Sequence, residues 1–141
     1  MRSERGARAQ PLAGRLGRDQ ARQAAGALAA TRVAIGIVAF IVPSVPARPW
    51  VGRGEAELPA VRLFARALGS RDVALGLGAL IAFREGKPMR GWVEAGGLSD
   101  AGDALATLKA FRGLPKPTRW RVLAATVGAA VAARLLAPYV D

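Results

Sequence analysis

Four long stretches of mostly apolar residues, separated by short turns rich in Pro, Gly and basic residues, constrain this chain more than any other feature. Each is about twenty residues long, and at ~1.5 Å of rise per residue such a helix matches the hydrocarbon thickness of a bilayer. The stretches cover residues 24–42, 63–83, 91–111 and 120–140. The first holds a single charge, Arg32, and is followed by Pro43, Pro46 and Pro49, where the missing N–H groups and the restricted preceding residues stop a helix. In the second, only residues 73–83 are wholly apolar, too few to span, so the crossing takes in Arg71 and Asp72. The third carries Glu94, Asp100, Asp103 and Lys109, and the last is interrupted by Arg134.

The pattern predicts an all-α, four-helix transmembrane bundle over residues 24–141, preceded by a basic tail over residues 1–23. Six Arg and almost no large apolar residue in that tail predict a disordered or surface-lying segment. A signal peptide competes for residues 33–47, but the charged leader is long for one, and Pro46 sits awkwardly in the cleavage position. Residues 47–57 read as a loop. Trp50, Trp92 and Trp120 fall at span ends, where indoles anchor at membrane interfaces.

Lys and Arg outnumber Asp and Glu by 21 to 10, a balance found in nucleic-acid binders and in membrane proteins with basic ends. Here the basic residues cluster between apolar stretches instead of forming one stripe interleaved with aromatics, so no nucleic acid is expected as a partner. The absence of Cys and His removes disulfides, thiol nucleophiles, Cys/His metal sites and His-based triads.

Six charges stand in the middles of the spans: Arg32, Arg71, Asp72, Asp100, Asp103 and Arg134. An unpaired charge there costs on the order of 2.5–3.5 kcal/mol, so these groups should turn inward and pair or meet water. Three positive charges face three negative ones, which is what structural pairing predicts. Asp100 and Asp103, three apart, share a helix face with Gly96 and Thr107. Gly69, Asp72, Gly76 and Ala79 form a small-residue stripe that permits close helix approach, with Gly36 as a further packing position. Residues 27–41 and 67–81 match at seven of fifteen positions, pairing Gly36 with Gly76 and Arg32 with Asp72, as an inverted repeat would. Asp72 is expected to be the most demanding charge in the chain, with Arg32 as one candidate partner and Arg71, Arg134 and the third-helix aspartates competing for the same interior.

Gly69-Ser70-Arg71-Asp72 followed by Leu75-Gly76, together with residues 97–103 (GLSDAGD), resembles uncharacterised small four-helix integral membrane proteins of high-GC bacteria. That family carries a G-x-R-D helix start and two aspartates on a third helix. The similarity covers about residues 27–136. The family has no assigned activity, so the resemblance implies fold and location only.

The reading that follows is a multi-pass protein of the cell membrane with an accessory or small-solute role and an interior polar cluster. The alternative is a membrane-embedded enzyme acting on a lipid or isoprenoid through Asp100 and Asp103, the weaker branch because the longer acid and glycine array of metal-dependent phosphatidyl transferases is missing. No catalytic residue, cofactor or metal is assigned. Membrane lipids are the expected partners, with self-association left open. Nine basic residues fall on each side of the bundle, so the long Arg-rich leader decides orientation and places both termini in the cytoplasm.

Overall fold

A computed structural model describes residues 12–141, with side chains from Gly17 onward. The first eleven residues of the basic tail lie outside the described residues. The rest is all-helical, with no strand among the described residues: α1 Leu12–Ile41, α2 Ser44–Val51, α3 Pro59–Arg84, α4 Arg90–Ala110 and α5 Arg119–Leu136. Short 3-10 turns occupy Glu55–Glu57 and Ala137–Tyr139.

The four long helices coincide with the four apolar stretches, but two boundaries differ. Helix α1 starts twelve residues before the apolar run, so residues 12–23 are helical instead of belonging to a tail. The Ala, Arg, Gln and Leu of this segment favour helix intrinsically. Tertiary contacts then hold it, with Ala21 and Ala25 buried and Arg22 donating to the carbonyls of Val140 and Lys87. Residues 44–51 form a two-turn helix that takes in the first part of the loop expected over residues 47–57. Pro46 stands in its first turn, where no N–H is needed, and proline's fixed φ is already helical. Only Pro49 removes an internal hydrogen bond.

Helices α1 and α3 form the most extensive interface, and α4 with α5 the next. Glycine sets the closeness of the first pair. A Cβ built on Gly36 would lie 2.6 Å from the Gly69 carbonyl oxygen, and one on Gly69 would lie 2.6 Å from that of Gly36. A Cβ on Gly76 would meet Val33 at 2.6 Å and the Ala29 carbonyl at 2.8 Å. The partners of Gly36 include Gly69 and Val73, and those of Gly76 include Ala29 and Val33, forty residues earlier. The contacts therefore exchange under the same offset that relates the two sequences. Across the bundle, Ala133 would lie 2.8 Å from a Cβ on Gly97.

At the bundle end where α3 turns into α4, the Asp141 carboxylate accepts from the N–H groups of Met89 and Arg90, at 2.9 and 3.0 Å. These donors head α4 and have no partner within the helix, and a carboxylate there also opposes the positive end of the helix dipole. The opposite end is covered by α2 and the turns around it.

The core is unusual in composition. Among the described residues, eleven of the fifteen buried apolar residues are alanines, and no Leu, Ile, Phe or Trp is among them. Many large apolar side chains lie outside, among them Leu98 at 75% exposure, Phe64 at 67% and Leu135 at 66%, while Leu80, Phe83 and Leu136 are half-buried against the core. Water-soluble domains place Leu, Ile and Phe in the interior. Among the described residues, two segments, Gly17–Ile41 and Arg119–Tyr139, are long and apolar enough to cross a membrane. Helices α3 and α4 do not meet that description, since charges interrupt their middles.

Candidate functional site

Midway along the bundle, α1, α3 and α4 each direct charged side chains into a common interior. Arg32 of α1 lies across from Asp72 of α3, held at the same level by the glycine seam. Its Nη1 donates to Asp72 Oδ1 at 3.2 Å, while Nη2 donates to Asp100 of α4 and to the Gly96 carbonyl. One guanidinium thus serves two carboxylates. The Arg32 side chain is only 10% exposed and that of Asp100 11%.

Arg71 approaches from the other side. Its Nη1 and Nη2 donate to the two oxygens of Asp103 at 3.2 and 2.9 Å, a bidentate pair that fixes orientation. Nε and Nη2 also donate to Asp72 Oδ1, at 3.3 and 3.1 Å. Asp72 therefore bridges the two arginines through one oxygen, leaving Oδ2 without a donor among the described residues.

Asp100 and Asp103 share a face of α4 yet do not act as a pair, because each is taken by a different arginine. The structure brings together Arg32, Arg71, Asp72, Asp100 and Asp103, and leaves out Arg134. That residue is exposed near the end of α5, one position from buried Ala133, and makes no ion pair among the described residues. The buried face of α5 is Val122, Thr126 and Ala133, and a one-residue step turns Arg134 about 100° away from it. Without Arg134 the cluster holds three carboxylates against two guanidiniums, a formal charge of 2 − 3 = −1.

Next to this network is a partly open cavity of about 390 Å³ under α2. Arg71, Asp72 and Asp103 line it on one side, and the other walls are apolar, including Ile35, Phe64, Leu68 and Trp50. Trp50 is turned inward: its indole Nε1 donates to Thr107 Oγ1 at 3.2 Å, and that hydroxyl donates to the Asp103 carbonyl at 2.7 Å. Sequence position alone suggested an interface anchor, because nothing in the residue order reveals that α2 folds back over the bundle. Trp120 is 64% exposed and stacks edge-on against Phe111, while Trp92 lies against Gly78.

Compared with known proteins, the chain matches no family model, no curated protein and no solved structure.

Proposed function

We propose that the chain is a four-helix, multi-pass protein of the cell membrane whose role is non-enzymatic, handling a small solute at the Arg/Asp cluster or serving as an accessory subunit. The observation that carries this reading is the inverted distribution of side chains: alanine and paired charges fully buried, and many Leu, Ile and Phe exposed. Leaving a large apolar side chain in water costs ~1.5–3 kcal/mol against burying it. Lipid removes that penalty, and charges in a lipid-facing bundle must turn inward and pair.

In this reading α3 and α4 cross as well. At 26 and 21 residues they are long enough for a hydrocarbon core of ~30 Å. Their mid-helix charges are those of the network, so composition understates how apolar their outer faces are. The resemblance to uncharacterised four-helix membrane proteins belongs to the same proposal. Membrane lipids are the surrounding partner, and both termini are cytoplasmic.

The enzyme alternative requires Asp100 and Asp103 to cooperate on a metal or a proton. Their separate engagement by Arg32 and Arg71 favours the non-enzymatic role.

Alkaline carbonate extraction of membranes from cells making the full chain tests the location. The protein is expected in the pellet, and release into the supernatant would refute the membrane reading. For orientation, the Arg5→Cys variant is expected to resist an impermeant maleimide in intact cells and to react after lysis; labelling of intact cells would reverse the topology.

A further inference from the structure

We propose that the cavity beneath α2 binds a lipophilic monocation, a compact apolar body carrying one diffuse positive charge of the ammonium or phosphonium kind. The inference rests on the small-solute reading and names the class of solute.

Charge gives the first reason. The network carries one carboxylate more than it has guanidiniums, and Arg134, which balances the count in the sequence, faces outward. An excess carboxylate in an apolar interior is compensated by a proton or by one bound positive charge, and the cavity offers room for the latter. Position gives the second. Two of the three carboxylates, Asp72 and Asp103, line the cavity, and Asp72 retains an oxygen with no donor among the described residues.

The walls decide what kind of cation. A small hydrated ion would have to exchange its water for many oxygen ligands, and apart from the network and Thr107 the lining is apolar. A charge-diffuse organic cation gives up little hydration and meets the aromatic walls of Trp50 and Phe64, whose rings attract positive charge. An anionic amphiphile would face both carboxylates while Arg71 is already engaged by them. A cavity of about 390 Å³ falls in the size range of small-molecule sites.

Tetraphenylphosphonium and tetraphenylborate share a shape and differ in the sign of charge, so they test the claim directly. Equilibrium dialysis of the full chain in dodecyl maltoside, with detergent-only controls, is expected to show saturable phosphonium binding at least about ten-fold tighter than borate binding. Leu68→Trp, which narrows the cavity at a residue that is not itself a member of the ion network, should weaken phosphonium binding about ten-fold or more. Asp72→Asn, if folded, should erase the preference between the two ions. Equal affinities, a preference for borate, no saturable binding, or phosphonium binding unchanged by Leu68→Trp would each overturn the proposal. Carbonate extraction reads the membrane location independently, so a negative result here removes the ligand and leaves the location standing.

Discussion

Arg32→Ala is expected to lower yield and melting temperature in detergent sharply, while Arg134→Ala leaves both nearly unchanged. Both remove one positive charge from an apolar stretch, so sequence alone would rank them together. The difference is position. Arg32 joins α1 to α3 through Asp72 and to α4 through Asp100, with a side chain only 10% exposed. Removing it leaves Asp100 with no donor among the described residues and Asp72 with Arg71 alone. A buried charge deprived of its partner costs about 3–5 kcal/mol, a large share of the stability of an ordinary domain. Asp72, expected from the sequence to be the most demanding charge, keeps Arg71 when Arg32 is lost, so Arg32→Ala is expected to cost more than Asp72→Ala. The network further predicts which double replacement rescues: Arg32→Leu with Asp100→Leu should recover more stability than Arg32→Leu with Asp72→Leu. Thermal unfolding in detergent measures all four variants, and equal recovery by the two doubles would refute the pairing described for Asp100.

Gly36→Ala carries the second large effect. The new methyl would stand 2.6 Å from the Gly69 carbonyl oxygen and 2.9 Å from the backbone nitrogen of Val73, neither of which can rotate away. Helix α1 must shift from α3, and overpacking of this kind costs about 1–3 kcal/mol by itself. Arg32 lies one turn from Gly36 on the same face, and Asp72 is three residues from Gly69, so the shift also stretches their ion pair. Gly102→Ala serves as the control. Nothing lies within 4 Å of its added methyl, and replacing a mid-helix glycine there should stabilise by ~0.5–1 kcal/mol. Melting temperatures that fall sharply for Gly36→Ala and hold or rise for Gly102→Ala are the expected pattern. A tolerated Gly36→Ala would mean that α1 and α3 are not this close.

The elements of the fold were readable where apolar length and helix breakers agree, which is why the four long helices and the Pro-rich ends of α1 and α4 were visible in the residue order. Helix α2 was hidden because three prolines within seven residues normally signal a loop; Pro43 and Pro46 stand at the helix start, where they fit, and only Pro49 removes an internal hydrogen bond. The start of α1 was hidden because residues 12–23 lack the apolar period that marks a buried face, and their anchoring through Arg22 depends on the distant Val140 and Lys87. Within the site, the need to bury Arg32, Arg71 and the three aspartates followed from cost alone. Who pairs with whom did not, since pairing depends on the rotation of each helix about its axis. Arg134 shows the limit: its apolar neighbours suggest an interior charge, but the face of α5 that packs inward runs through Ala133. The cavity is less visible still, being made by residues from four helices and the turn beyond α4.

The central claim is that the large apolar side chains on the outside of this helical bundle face lipid on every long helix, including the two whose charges disguise them. The chain contains no cysteine, so single replacements can be spin-labelled without further change. Nitroxides at Leu77 of α3 and Leu98 of α4, in liposomes, report collisions with apolar oxygen and with a water-soluble nickel chelate. Both positions are exposed, and the prediction is frequent oxygen collisions with few nickel collisions, as at Val131 of α5 and unlike Arg53 in the turn after α2. Nickel collisions at Leu77 and Leu98 as frequent as at Arg53 would place α3 and α4 in water and contradict the four-helix membrane bundle.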